Sequence, residues 1–318
     1  MYQIPELHKY DWGNFPPLAL GLYGAIHNRN ASVALQLSRY FYESENQRKV
    51  NIEVNGHKKL QTNGSSNQTV LEIARPFKLD VEEALGLRLC QWPGRAHIIE
   101  KENNLTYFLD GAHTMLSVQA CRAWFEYVSN TQEKNITPLK TFKVLIFNTT
   151  KDRDPKSLLS HLASFPFDKV IFSTNLTLSQ NSKNTDNTNN TTSVSSQSKR
   201  CEEHKTVWED LQKERLMNNQ VEEIDNEEKY SGRCKAKYGL KKAQCYTANT
   251  INDAIKFATN SNLNGNSVIT EKNLVQILVT GSIHLVGGVL QIVDPNIFDR
   301  SENEEIQQIS EEYQRLAS

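Results

Sequence analysis

The segment Asp-Gly-Ala-His at 110–113 places a carboxylate, two small residues and an imidazole where a predicted strand gives way to a predicted helix. The apolar run "TYFLD" (106–110) is typical of a buried strand, and the pattern from Thr114 is typical of a helix. In open α/β sheets, ligands bind just beyond the carboxyl ends of the strands, where helix N-termini accept anions. Asp110 could therefore accept hydrogen bonds from ribose hydroxyls, and His113 could donate to a carboxylate or phosphate. The alternative is an Asp N-cap or turn residue followed by a surface histidine.

Two further segments carry residues that suit anions. "WPGR" predicts a turn that presents Arg95, whose planar guanidinium matches phosphate, although a surface arginine after a turn is the alternative. The apolar segment "LVQILVTGS" ends in a Gly-Ser pair, in which backbone amides and the Ser282 hydroxyl could hold a carboxylate. Its alternative is a tight turn followed by a solvated His284.

Other polar residues favour structural interpretations. From Asn30, "NASVALQLSRYFYE" predicts a helix with Asn30 as its N-cap, after a loop-like segment 1–29. "NTTKDRDP" predicts a solvated turn in which Asp154-Pro155 starts a helix. The Gly287-Gly288 pair indicates close helix packing. We find no HxxxH, CxxC or GxGxxG spacing and no G-x-x-x-x-G-K-[ST] phosphate loop.

Composition limits the class of protein. The 318 residues suit one large domain or two ordinary ones, and apolar residues make up only 38%. With 36 basic and 37 acidic residues, the chain has no charge excess that would indicate a nucleic-acid partner. No apolar run approaches the ~20 residues of a membrane span, and no signal peptide is visible. Five widely spaced cysteines fit a reducing compartment, so we expect a soluble, intracellular protein.

The elements that must position these residues alternate along the chain. Apolar strands at 106–110, 141–148, 167–174 and 274–282 are interleaved with amphipathic helices. This rhythm predicts an α/β fold, with a Rossmann-like, mostly parallel sheet covered by helices on both faces. Residues 45–70 are expected to be a linker. The Asn/Ser/Thr-rich tract and the Lys/Glu-rich stretch after it predict a disordered insertion at 174–243.

Taken together, four motifs in this order resemble the carboxyl-terminal half of eukaryotic folylpolyglutamate synthase, of the Mur-ligase superfamily. They are "WPGR…YFLDGAHT…QACRAWF", "VLIFNTTKDRDPKSLL", "FDKVIFSTNL" and "ILVTGSIHLVGGVL". "LALGLYGAIHNRNASVALQL" resembles the last stretch of that family's ATPase domain. The resemblance covers most of residues 18–175 and 245–294. It implies a remnant of the ATPase domain and linker at 1–75 and a glutamate-ligase domain at 76–318.

The resemblance implies an ADP-forming ligation, in which ATP phosphorylates the γ-carboxyl of a reduced folate and glutamate displaces the phosphate. ATP and Mg²⁺ would be the cofactors, with reduced folate and L-glutamate as partners in one-carbon metabolism. We expect no nucleic-acid partner, no membrane insertion, a monomer, and a cytoplasmic or mitochondrial location. A phosphorylated carboxylate is a better electrophile than a free carboxylate. Arginine side chains and backbone amides can hold the reacting anions in line.

By the correspondence with the family's motifs, Asn30 would face adenine, Arg95 would contact ATP phosphate and Asp110 would contact the ribose. His113, also the expected catalytic residue, and Ser282 would lie on the glutamate side. His27 stands where the family usually has Gln. The family's phosphate loop and Mg²⁺ ligands belong to its amino-terminal domain, so no metal ligand is expected in this chain.

On these grounds the chain is expected to be a fragment or a short isoform, inactive without the phosphate-loop domain. The alternative is a catalytically inactive Rossmann-like binding or interaction module. An NAD-type oxidoreductase is disfavoured by the missing GxGxxG spacing.

Overall fold

The protein is described here by a computed structural model over residues 2–22, 24–49, 72–150, 153–177, 193–225, 242–260, 270, 272–297 and 304–317. The helices of this part are α1 (Ala25–Lys49), α2 (Val81–Leu89), α3 (Met115–Ile136), α4 (Pro155–Ala163), α5 (Val194–Asp225), α6 (Ile251–Thr259), α7 (Ile283–Val293) and α8 (Glu304–Ala317). The strands are β1 (Tyr2–Gln3), β2 (Glu72–Ile73), β3 (His97–Lys101), β4 (Leu105–Asp110), β5 (Lys140–Phe147), β6 (Lys169–Ser173), β7 (Gln244–Ala248) and β8 (Asn273–Thr280).

The chain divides into two compact units, Met1–Gln91 with Glu302–Ser318, and Trp92–Ser301. The boundary expected between residues 75 and 76 falls inside the first unit instead. The reason is that Leu79 and Ala84 are buried in the core of that unit, together with Leu35 of α1.

Helix α1 of the first unit begins earlier than the sequence predicted. Gly24 has a φ of +109°, a conformation that L side chains rarely adopt, and the helix starts directly after it. Asn30 therefore lies inside α1, and its predicted role as N-cap is wrong. The predicted linker also starts later than residue 45, because α1 continues to Lys49. Residues 50–70 of that linker lie outside the described part.

The second unit is built on a six-stranded sheet of order β3-β4-β8-β5-β6-β7. The pairs from β4 to β7 are parallel, and β3 joins β4 as an antiparallel edge strand. Helices cover both faces: α3, α4 and α5 contribute to one buried cluster, and α6 and α7 to the other. This confirms the predicted α/β class and the mostly parallel sheet.

Helix α5 overturns part of the predicted disorder at 174–243. Residues 194–225 are helical, and the α5 side chains of Cys201, Trp208 and Leu211 are buried in the core. Burial of these apolar groups offsets the conformational entropy that the segment loses when it is ordered. Residues 178–192 and 226–241 of this insertion lie outside the described part.

Two smaller predictions concern the start of α4 and the packing of α7. Asp154 caps α4 through the amides of Lys156 and Ser157, with Pro155 in the first turn. The close packing predicted for the Gly287-Gly288 pair holds at Gly288, where a Cβ would lie 2.3 Å from Ile251 Cδ1, and is wrong for Gly287, which has no atom within 4 Å of an added Cβ.

No helix of the described residues combines the length and apolar character that a membrane crossing requires.

Candidate active site at the carboxyl edge of the sheet

The register of the sheet brings three strand ends to one place. Asp110 at the end of β4 pairs with Thr280 at the end of β8, and Thr280 pairs with Phe147 at the end of β5. Each of these strands is followed by a helix, so the N-termini of α3, α4 and α7 lie at this carboxyl edge. Helix N-termini carry unpaired N–H groups and partial positive charge, which makes the edge suitable for anions.

Asp110 connects the end of β4 to the "WPGR" turn. Its Oδ2 accepts a hydrogen bond from the Ala96 amide at 2.9 Å, and the Gly111 amide donates to the Gly94 carbonyl at 2.9 Å. The alternative that Asp110 is an N-cap is wrong, because the hydroxyl of Thr114 caps α3. The carboxylate thus holds two chain segments together at the edge.

Arg95 extends from this turn toward the same place. A Cβ at Gly111 would lie 3.2 Å from a guanidinium nitrogen of Arg95 and 2.8 Å from Ile283 Cδ1, so the small residue leaves room for both. The Arg95 guanidinium lies 5.9 Å from the ring centre of Trp92, within the range of a cation–π contact. The half-buried Arg95 is therefore at the strand ends, where the sequence predicted an anion contact.

His113 is half-buried with a defined ring orientation. Its Nδ1 lies 2.8 Å from the Gly111 carbonyl, which can only accept, so Nδ1 carries the hydrogen. In the neutral ring, Nε2 then keeps its lone pair. His113 can therefore bind a donor or take up a proton through Nε2.

The Gly281-Ser282 pair forms a tight turn before α7. Gly281 has a φ of +97°, and a Cβ there would lie 2.2 Å from the Asn148 carbonyl oxygen. Ser282 is 1% exposed, and its hydroxyl caps α7 by accepting from the His284 amide at 3.2 Å. Ser282 is committed to the helix end, and α7 presents its N-terminal amides at this edge.

Asn30 belongs to the first unit. It is exposed in the second turn of α1. The residues just before it, Asn28 and Arg29, line a cavity of about 300 Å³ with Glu6 and His8. His27 is 9% exposed.

A buried thiol lies under the edge. The Sγ of Cys121 donates to Thr280 Oγ1 at 3.6 Å. Burial, and secondly the Asp110 carboxylate, raises the pKa of Cys121 well above its usual value. The thiol is therefore protonated and unsuited to nucleophilic chemistry.

Sequence reasoning missed the polar segment after β5. Asn148, Thr149 and Thr150 are 1%, 1% and 6% exposed, although the motif was interpreted as a solvated turn. His204 of α5 is also 1% exposed, and its Nε2 lies 3.0 Å from Thr149 Oγ1. The helical spacing of Cys201, His204, Trp208 and Leu211 was the available signal. Asp152 of the same motif lies outside the described residues.

The described residues do not fit a metal site. Among them, no group of three or more His, Cys, Asp or Glu side chains is close enough to hold an ion. The donor set of the edge consists instead of a guanidinium, an imidazole and helix N-termini, which suit phosphate and carboxylate groups.

The fold and this edge define an α/β protein whose sheet presents groups that suit anions at the carboxyl ends of its strands. No family model matches the chain. It is 31% identical over 319 residues to mitochondrial folylpolyglutamate synthase of Homo sapiens, covering 93% of this chain and 52% of that protein. It is 28% identical to the putative folylpolyglutamate synthase of Caenorhabditis elegans, covering 92% of this chain and 47% of the relative.

The chain is thus a homologue of the folylpolyglutamate synthases over nearly its whole length, and it spans about half the length of these relatives. Among solved structures, a Mycobacterium tuberculosis folylpolyglutamate synthase complexed with ADP and AMPPCP aligns with a TM-score of 0.44 and 16% identity. That alignment covers 87% of this chain and 42% of the other.

Proposed function

We propose that this chain forms the carboxyl-terminal half of an ADP-forming ligase that adds glutamate to the γ-carboxyl of reduced folates. The names of the curated relatives support the reaction. The observation that carries the proposal is the meeting of the "WPGR" turn, the end of β4 and the start of α7 around Gly111. Ligation needs an arginine, a base and anion-binding amides in one place, and these segments supply them.

In this proposal Arg95 contacts phosphate and the Asp110 carboxylate accepts hydrogen bonds from the ribose of ATP. The γ-carboxylate of the folate attacks the terminal phosphate, which yields an acyl phosphate and ADP. The guanidinium stabilises the charge on the transferring group, as preorganised donors do in phosphoryl transfer.

Glutamate then reacts as an amine. Its α-carboxylate is held near the N-terminus of α7 behind Ser282, and Nε2 of His113 takes the proton that the ammonium must lose. The amine attacks the acyl carbon, the C–N bond forms and phosphate leaves. His113 can serve as this base because its Nδ1 is committed to the Gly111 carbonyl.

The complete reaction requires groups beyond those described. We place the ATP-binding phosphate loop and the Mg²⁺ ligands in a separate amino-terminal domain.

We further place the protein in mitochondria or cytoplasm. The word "mitochondrial" in the names of the mammalian relatives supports the mitochondrial location.

The test is ATP-dependent incorporation of labelled glutamate into tetrahydrofolate by the native polypeptide that contains this chain. Arg95→Ala should lower kcat/KM by about 30- to 1,000-fold, which corresponds to roughly 2–4 kcal/mol. The matched control is Arg122→Ala, because Arg122 is partly buried and pairs with Glu126 of its own helix. Wild-type activity in Arg95→Ala would refute the site, and no ligation by the wild-type polypeptide would favour the binding-module alternative.

A further inference from the structure

Helix α5 brings polar side chains to the carboxyl ends of β5 and β6. Gln197 Oε1 accepts from the Asn175 amide at 3.0 Å, and Arg200 donates to the Thr149 carbonyl at 3.2 Å. His204 Nε2 lies 3.0 Å from Thr149 Oγ1. Because the three α5 residues are spaced by three and four positions, they share one face of the helix.

The contact between Thr149 and His204 is enclosed by aromatic rings. Both residues are 1% exposed, and the imidazole lies 5.6 Å from the Phe147 ring and 5.8 Å from the Phe172 ring. Burial, and secondly the charge of Arg200, lowers the pKa of His204 to about 3, so the ring is neutral at physiological pH. A hydrogen bond in such surroundings is costly to break, which fixes the position of Thr149.

Thr149 directly follows Asn148, whose carbonyl lies beside Gly281 of the candidate site. The preceding Asn148 carbonyl occupies the space beside Gly281, where even a Cβ would come within 2.2 Å. The Asn148 amide lies 3.4 Å from the Thr280 carbonyl, and its side-chain amide donates to Asn175 Oδ1 at 3.2 Å. A shift of residues 148–150 therefore changes the space available to Gly281 and to the start of α7.

We propose that His204 is a positioning residue for the ligation site, which acts through Thr149 to fix residues 148–150 as the wall against which Gly281 and the start of α7 rest. The substrate group that this wall orients is the carboxylate of the incoming amino acid, an assignment that rests on the function proposed above. Helix α5 then shapes the site from outside it, without touching the reacting atoms.

The test compares two buried threonines in the native polypeptide. Thr149→Val removes the hydroxyl that meets His204 and keeps the side-chain shape, and Thr149→Ser keeps the hydroxyl. The matched control is Thr106→Val, because Thr106 is 1% exposed and accepts from Gln132 Nε2 at 2.7 Å near the opposite end of β4. We expect Thr149→Val to raise KM for glutamate about tenfold with KM for ATP changed less than twofold. Thr149→Ser and Thr106→Val should keep the wild-type KM for glutamate.

Hydrogen exchange of the backbone amides at 279–284 gives a second result that needs no turnover. Exchange there should be faster in Thr149→Val and unchanged in Thr106→Val. If Thr149→Val loses as much stability as Thr106→Val but keeps both the KM for glutamate and the slow exchange, the proposal is overturned. If the wild-type polypeptide does not ligate glutamate, the proposed function fails while the exchange comparison still decides whether His204 positions this edge.

Discussion

The Asp110 carboxylate and the Ala96 amide are joined by a 2.9 Å hydrogen bond that ties the end of β4 to the residue following the "WPGR" turn. One side chain therefore both faces the proposed nucleotide position and holds the turn that carries Arg95. Substitutions at Asp110 can separate these two roles.

We expect Asp110→Ala to cost about 1–3 kcal/mol of unfolding free energy, because a buried amide loses its acceptor. Asp110→Asn keeps an oxygen for Ala96 and should stay within about 1 kcal/mol of wild type, while KM for ATP rises because the charge is lost. Urea unfolding and ligase kinetics measure the two effects.

The matched control for Asp110 is Asp168→Ala. Asp168 Oδ2 accepts from the Lys143 amide at 2.9 Å, which is the same kind of contact beside the amino end of β6. This variant should lose comparable stability without a change in KM for ATP. Equal kinetic damage from both alanine variants would show that Asp110 acts on stability alone.

Two glycines of the α7 region should respond in opposite directions to alanine. Gly281→Ala should cost at least about 2–4 kcal/mol, because its φ is +97° and the new Cβ would meet the Asn148 carbonyl at 2.2 Å. Gly287→Ala, with no atom within 4 Å of the added Cβ, should gain about 0.5–1 kcal/mol from helix propensity. Urea unfolding compares the two variants, and a similar loss in both would contradict the described turn.

His204 should make the stability depend on pH. Its folded-state pKa is lowered from 6.5 to about 3, so between these values the unfolded chain binds a proton that the folded chain does not. The stabilisation is complete above pH ~6.5 and decreases as the pH falls toward ~3, by up to about 1.4 kcal/mol per pH unit. For this group alone, the loss between pH ~7 and ~5 is about 2 kcal/mol.

This dependence is checked by urea unfolding at both pH values. His204→Gln should lose about 2 kcal/mol less than wild type between them. The exposed His284 is the control, and His284→Gln should follow the wild-type curve. Parallel curves for wild type and His204→Gln would show that the imidazole is not buried as described.

The cysteines should differ strongly in reactivity. Burial raises the pKa of Cys121 well above its usual value, that of Cys201 to about 12 and that of Cys245 to about 11. Because the thiolate is the reactive form, iodoacetamide should alkylate the exposed Cys90 before the other three cysteines of the described residues. Peptide mapping should find Cys121 and Cys201 labelled only after denaturation, and rapid native labelling of Cys121 would contradict its buried position.

The sequence was sufficient for β4, β5, β6 and β8 and for the edge where they end, whereas the other described strands were not predicted. Continuous apolar runs as short as those of β5 and β8 are typical of strands buried on both faces, and polar residues just beyond them mark the carboxyl edge. Asp110 and Ser282 were found in this way, Arg95 was found from the "WPGR" turn, and the structure puts their segments together.

Long-range contacts could not be predicted. The bond from Asp110 to Ala96 depends on β3 folding back on β4, which local spacing does not encode. Composition was misleading for α5, because its polar residues mask a narrow buried stripe that includes His204 and Trp208. The start of α1 was set by the backbone at Gly24, so the capping preference of Asn30 did not decide it.

The strand order has a consequence for how the chain reaches this structure. β8 lies between β4 and β5, yet among the described strands it is the last along the chain. Until residues 273–280 are inserted, the hairpin of β3 and β4 and the layer of β5 to β7 each expose an unpaired apolar edge. Pairing across such long separations is slow and leaves intermediates open to aggregation. Folding should therefore be limited by the docking of β8, and chains that stop before it should depend on chaperones.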